Sequence, residues 1–275
     1  MNSRNVAILD QIRAEALQRS IPAPDVERWM TLARPCARLT EDGDGPVVGR
    51  FGGPVMLPAG TRNPQFPLIA TIDCAALPAD VTDLPLPSDG WLLFFGFPEQ
   101  EDSYSMGDVV YVPAGVAVEE WTEPNFYSDN EDSAEVIGEL PRGEARLTAD
   151  VSLPFVGEIG LPGPPWLAPM PGHPRSKELA EVWQDQWGES PPLAIGGYGT
   201  DFNGDDVRAK AAYFAAAEDG NRSGTTSPDP ADWVLLAECN TAGRGAGAAI
   251  FWTIQRDDLI ARRFDRVYVA VDCNP

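Results

Sequence analysis

One histidine stands in the 275-residue chain, His173, in the run PGHPR. A serine or cysteine nucleophile paired with an imidazole base would have to use it, because histidine alone changes charge near neutral pH without an environmental shift. A single imidazole excludes a multi-histidine metal centre, and a proline-flanked loop histidine is more often a surface residue than a base. Carboxylates are the other source of acid–base chemistry. Asp73, closing PLIATID, and Glu238, within DWVLLAECN, both fall near strand ends, and two carboxylates can divide acid and base roles when their surroundings separate their pKa values. DFNGDD sets Asp201, Asn203 and Asp205 at the one, three, five spacing of a calcium loop. Its glycine falls at position four, however, and no glutamate closes the loop at position twelve. Asp129, Glu131 and Asp132 of YSDNED form an acidic turn of a kind expected in so acidic a chain.

Two glycine pairs are more informative. Gly52 and Gly53 in RFGGPV, and Gly196 and Gly197 in AIGGYG, each stand before a proline or a bulky residue. Glycine permits positive φ or the close approach of another group, which serves a bulge, a tight strand entry or a ligand. Arg50 beside the first pair is a cation able to reach a groove, and Tyr198 beside the second an aromatic able to line one, as are Trp91 and Trp252. With Asn240, these residues are the candidate ligand contacts. NTAGRGAGAA is glycine-rich but lacks the lysine of a phosphate loop and leads into a strand, so a long hairpin turn is expected. No cofactor is implied.

The elements that must position these residues are read from periodicity. Val6, Leu9, Ile12 and Leu17 follow Ser3, a candidate N-cap, near helical spacing, and a second helix is expected over residues 25–33 with Asp25 as its cap. Short apolar runs punctuated by glycine and proline follow: PLIATID, GWLLFFGF and DVVYVPAG predict three strands. The stretch from Glu119 to Pro174 is acidic first and then holds seven prolines from Pro154 onward, and it reads as an elaborated connection without a long helix or central strand. RSKELAEVWQDQW, with Ser176 as candidate cap, and DDVRAKAAYFAAAEDG predict helices. DWVLLAECN, GAAIFWTI and DRVYVAVDC predict three further strands, with a short helix between the last two.

The second trio of strands echoes the first. GWLLFF falls on GAAIFW, and Val110–Val112 on Val267–Val269, both at an offset of 157; LIATID matches LLAECN at 167; the glycine pairs match at 144. An internal duplication is therefore expected: an α+β fold of two related β-rich halves with mainly antiparallel sheets, and helices at the N-terminus and in the second half. The chain divides into an N-terminal helical segment (1–48), a first β-rich repeat (49–118), an acidic and proline-rich connection (119–174) and a second repeat (175–275), within one compact domain. A groove between the halves is the default ligand site.

Charge narrows the partners. The formal net charge is −22, which argues against binding nucleic acid or an anionic membrane. Fourteen acids against Arg142 and Arg146 give residues 99–150 a local net of −12, a surface that could steer a basic protein partner. Cys36, Cys74, Cys239 and Cys273 lie far apart and are expected as buried free thiols. Neither an apolar leader nor a run of about 18 apolar residues occurs, so a cytoplasmic protein is expected.

GRFGGPVMLPAG, FPLIATIDCAALP, GWLLFFGF, GGYGTDFNGDD, DWVLLAECN and RRFDRVYVAVDC, taken in order, resemble the YwqG-like family, the bacterial domain of unknown function 1963. The resemblance implies an α+β fold with antiparallel sheets and brings no established activity. The family often shows a histidine before its second glycine motif, a proline after the tyrosine and a glutamine further on, where this chain has Leu193, Gly199 and Asn203. A cytosolic binding or protein-interaction module is the expected function, on the pattern of acidic immunity proteins. The alternative is a small-molecule hydrolase or isomerase using carboxylates in the groove between the halves.

Overall fold

A computed structural model of the chain describes residues 3–99, 105–128, 131–154, 175–187, 190–199, 206–219, 226–241 and 247–273. Among these, six α-helices and twelve strands form an α+β fold. The helices are α1 (Ser3–Gln18), α2 (Ala23–Met30), α3 (Glu131–Glu139), α4 (Ser176–Trp187), α5 (Val207–Asp219) and α6 (Arg256–Ile260). The strands of the first arm are β1 (Arg34–Thr40), β2 (Val47–Phe51), β3 (Val55–Leu57), β4 (Leu68–Asp73), β5 (Trp91–Gly96) and β6 (Gly107–Val112). There follow β7 (Glu119–Trp121), β8 (Gly143–Ser152), β9 (Leu193–Ile195), β10 (Trp233–Asn240), β11 (Ala248–Gln255) and β12 (Tyr268–Cys273). No described helix is long and apolar enough to cross a membrane.

Ten strands make one antiparallel sheet in the order β12-β11-β10-β9-β1-β8-β2-β4-β5-β6, and β3 pairs with β7 in a separate two-stranded ribbon. The large sheet rolls until its ends touch. The Met106 N–H just before β6 donates to the Val269 carbonyl of β12 at 2.9 Å, and the buried Trp252 indole of β11 donates to the Phe95 carbonyl of β5 at 2.9 Å. Every one of the ten strands sends side chains into a single interior cluster, among them Leu39, Val48, Ile69, Phe94, Leu147, Ile195, Leu236, Ile250 and Val269. The all-apolar runs of β5 and β10 are buried on both faces, one against the interior and the other beneath covering elements. On the outside, α1, α2 and α4 pack around Trp29 and Trp183 against the end of β8, while α5 lies on β10–β12 through Ala211, Ala212, Trp233 and Tyr268.

The strand order reads the same from either end when β1 is exchanged with β8, β2 with β9, β4 with β10, β5 with β11 and β6 with β12. Local features recur with it. The β4–β5 register shifts between Leu68 and Ala70, and the β10–β11 register shifts between Leu235 and Ala237, the offset of 167. Gly52 donates to the Ile69 carbonyl at 2.9 Å, and Gly196 to that of Leu236 at 3.1 Å. The ungapped offset of 157, by contrast, joins opposite faces. Phe94 points into the interior whereas Phe251 packs beneath α5; Phe95 lies on the outer face whereas Trp252 lies inside. Cross-strand pairing sets Phe94 against Ala70 and Trp252 against Ala237, one residue away from the ungapped match, and a slip of one residue turns every side chain to the other face.

Three strands fall where none was expected. β1 lies inside the segment read as helical, and both the short β7 and β8, ten residues long and central in the sheet, lie inside the stretch read as a connection. Arg34, Cys36 and Arg38 alternate with Pro35, Ala37 and Leu39, and β8 alternates likewise, so one polar face masked both. The helix faces also differ from expectation. Val6 and Leu17 are exposed and α1 buries Leu9, Ile12 and Ala16; Pro22, not Asp25, precedes α2, leaving Asp25 in the first turn, where its charge favours the helix N-terminus.

Because Trp252 fills the interior and ties the rolled ends together, Trp252→Phe should cost about 2–4 kcal/mol from lost volume and an orphaned carbonyl. Urea unfolding checks this against Trp91→Phe at an exposed position, expected within about 0.5 kcal/mol of the parent; equal effects would contradict the closure.

Candidate functional site

The two glycine pairs end β2 and β9, and all four residues have positive φ, from +56° to +92°. Beyond that their surroundings differ. At Gly197 an added Cβ would lie 2.7 Å from the Ser152 Cβ, so glycine is required there for packing. The next residue, Tyr198, is fixed from three directions. Its N–H donates to Ser152 Oγ at 3.1 Å, its hydroxyl donates to the Leu32 carbonyl at 2.6 Å, and Arg34 and Arg208 lie 4.6 and 5.5 Å from its ring centre. Arg208 is held by Asp206 and Arg34 by Asp83. Gly196, Gly197 and Tyr198 therefore join the N-terminal helices to the sheet.

The first pair opens onto space. The Arg50 guanidinium lies against Gly53, where a Cβ would come within 2.2 Å of it. It reaches a recess of about 320 Å³ on the outer face of the sheet, within the range of small-molecule sites. Buried Leu93 and Val112 form its floor beside Thr71, and Met56, Trp91 and Val118, all about 40% exposed, form its rim. The ribbon β3–β7 shields one side, with its Leu57 packed in one cluster with Phe95 and Leu93. Trp91 and Arg50 thus meet at one site. Met56, Thr71 and Val118 carried no signal in the sequence beyond their apolar or strand-like type.

The two carboxylates proposed for catalysis are not brought together. Asp73 accepts the Ala75 N–H at 2.9 Å and caps the short turn after β4. Glu238 is buried on β10 beside a void of about 20 Å³ lined by Cys36, Arg38 and Asp150, with Arg38 and Asp150 ion-paired at 3.2 Å. Four strands separate β4 from β10, a span of about 24 Å across the sheet. Asn240 is buried at the end of β10, its N–H donating to the Pro192 carbonyl at 3.2 Å. His173, Asp201, Asn203 and Asp205 lie outside the described residues, as do Asp129 and residues 242–246 of the glycine-rich turn. No group of three or more metal-ligating side chains occurs among the described residues.

A second, polar groove of about 390 Å³ runs along the seam where β6 meets β12. Arg62, Asp108, Glu218, Asp265 and Arg266 line it. Asp108 remains exposed on one side, yet its carboxyl is raised above the usual range by partial desolvation, with the Arg62 charge pulling it down. These residues come from four distant segments, so no local pattern announced the groove.

All four cysteines are free, and Cys36, Cys74 and Cys239 are buried as expected while Cys273 is half-buried. Burial pushes the Cys74 thiol up to about 12, reinforced by Asp73 and Asp89, and raises Cys36 further, reinforced by Asp150. Unfolded thiols ionise at about 8.5, so above that pH the unfolded chain binds fewer protons than the folded one and stability falls as pH rises. Urea midpoints should decline between pH 7.5 and 10.5, and less steeply in Cys74→Ala; identical slopes would remove that thiol as a source.

Among curated proteins none matches the chain. The model of a family described as a domain of unknown function, DUF1963, matches residues 49–273, from within β2 to the end of β12. The chain belongs to that family, the YwqG-like domains.

Proposed function

We propose that this protein is a non-catalytic binding module whose principal site is the recess between the β3–β7 ribbon and the outer face of β4–β6. The observation that carries this reading is the lining itself: a ligand-sized apolar surface with, among the described residues, one ionisable side chain, Arg50, and no carboxylate, thiol or imidazole in contact with the space. Such a surface holds a ligand and offers no group to attack it or move its protons. Binding in this way also accounts for keeping large apolar side chains at the rim in water, an arrangement that marks contact surfaces. The exposed acids of α3, Glu131, Glu135 and Glu139, are the surface at which a basic protein partner would meet the chain, on the pattern of an immunity protein.

One observation favours the second reading, a hydrolase or isomerase. Asp108, Glu218 and Asp265 share the seam groove, and a carboxyl raised by desolvation in a cleft is a candidate general acid. We favour binding because the recess is apolar and the less open of the two, whereas the seam groove is more open and carries charges of both signs.

We also infer that the two arms descend from one duplicated unit. The symmetric strand order, the paired register shifts and the paired glycine hydrogen bonds support this. Superposition of the arms in a crystal structure should align residues at offsets of 144 and 167; a best superposition at other offsets would contradict it.

The functional reading is tested by ligand-observed NMR of the full chain with a mixture of small acids, alcohols, esters and amides, followed over a day. Compounds that bind should be recovered unchanged. Conversion of any of them, lost in Asp108→Asn, would establish the enzymatic reading instead.

A further inference from the structure

The outer faces of the two arms are related by the symmetric strand order, yet they are covered differently. Over β10–β12 the helix α5 lies flat, with Val207 on Leu235 and Phe251, and Ala211 and Ala212 near Trp233 and Tyr268. Over β4–β6 no described helix takes that place. The two-stranded ribbon covers Phe95, Leu93 and Val112 in part and leaves the recess beside them. At about 320 Å³ it is too small for a helix some 10–12 Å across and suits a small molecule.

The charge of the recess is opposite to that of the protein. The chain carries −22 overall, but the only ionisable group lining this space among the described residues is a guanidinium. Arg50 has no ion-pair or hydrogen-bond partner among the described residues. Its cross-strand neighbour Glu144, the carboxylate best placed to neutralise it, is paired with Arg146 instead. Gly53 contributes through what it lacks. Any Cβ there would displace the guanidinium from its position against the backbone, so the glycine keeps a planar, forked donor at the edge of an apolar floor. Guanidinium is the cation best matched to the two oxygens of a carboxylate, and among the described residues the space is otherwise lined by the Thr71 hydroxyl, the Trp91 indole and apolar side chains.

We propose that this recess binds a small monocarboxylate with an apolar body. The carboxylate pairs with Arg50, and the aliphatic or aromatic portion lies on Leu93 and Val112 against Trp91. This deepens the binding reading above and rests on it. The lining fixes the class of ligand: a cation would meet Arg50, a neutral molecule would leave the guanidinium unpaired, and a second charged group would face apolar side chains with no counterpart.

The test uses the full chain and four probes: octanoate, 1-octanol, octylamine and an acetylated tetrapeptide ending in leucine. Binding is read by titration calorimetry and by Trp91 fluorescence, using Trp91→Phe to assign the signal. Octanoate should bind at least tenfold more tightly than octanol, and octylamine most weakly. Arg50→Gln should bring octanoate to the level of octanol, and Thr71→Phe, which fills the recess, should abolish binding of both; thermal melts confirm that each variant is folded. Octanoate no tighter than octanol, or insensitive to Arg50→Gln, would overturn the carboxylate assignment while leaving the binding reading in place. A peptide tighter than octanoate would replace the small acid by a polypeptide C-terminus and overturn the proposal in that respect. No binding by any probe to the folded parent would remove both the assignment and the recess as the site.

Discussion

The meeting of β6 and β12 is the contact on which the rest of the molecule depends. A flat ten-stranded sheet would present two unpaired edges to solvent and to other chains, a standing risk of edge-to-edge association. Here the sheet rolls, and the Met106 N–H and the Trp252 indole close the gap by donating to carbonyls of the opposite arm. Glycine makes the approach possible. Side chains added at Gly96 and Gly107 would press on Trp252, Ile250 and Val269. Closure brings side chains from all ten strands into one apolar cluster, and it fixes where function can reside. The interior is packed from Leu, Ile, Val and Phe, and the two ligand-sized spaces described lie on the outer face and along the seam.

The outer face is divided by what covers it. Three helices close over the end of β8, and α5 closes over β10–β12. Among the described residues, the corresponding surface of the other arm receives only the short ribbon of β3 and β7, each three residues long. From a topologically symmetric framework, an asymmetric surface results: one arm is sealed by a helix, the other left with a recess bearing a cation. The glycine pairs show the same divergence in detail. Both make the same backbone hydrogen bond to the neighbouring strand, but one is followed by a tyrosine locked between two arginines and the other by a proline that leads the chain away into the ribbon.

Much of this was legible in the sequence, and the failures have physical causes. β5, β10, β11 and β12 were readable because burial on both faces leaves a nearly unbroken hydrophobic run, and β4 and β6 because they are rich in β-branched and other apolar residues although one face is only partly covered. β1 and β8 were not, because at the sheet centre one of their faces carries Arg34, Arg38 and Asp150, charges that suggest a loop when tertiary pairing is unseen. The matching runs of the two arms were visible, but their register was not: Phe94 and Phe251 match by letter and face opposite ways, since composition cannot resolve a one-residue slip when both faces are apolar. Arg50 was identified by its place beside Gly52 and Gly53, whereas the recess it serves is assembled from β3, β4, β5, β6 and the segment before β7. Asp73 and Glu238 looked equivalent as strand-end carboxylates. One proves to be a turn cap and the other a buried neighbour of Arg38 and Asp150, a distinction set by surroundings drawn from elsewhere in the chain.

A crystal structure of the full chain grown with octanoate would bear most directly on the claim that the open outer face of the first arm is the binding site. Density for the acid should occupy the recess between Trp91 and Val112, with both carboxylate oxygens toward the Arg50 guanidinium and the β3–β7 ribbon in place over Leu93. An empty recess with the acid bound in the seam groove beside Arg62 and Arg266 would contradict it, and would move the functional centre of the molecule to the line where its two arms meet.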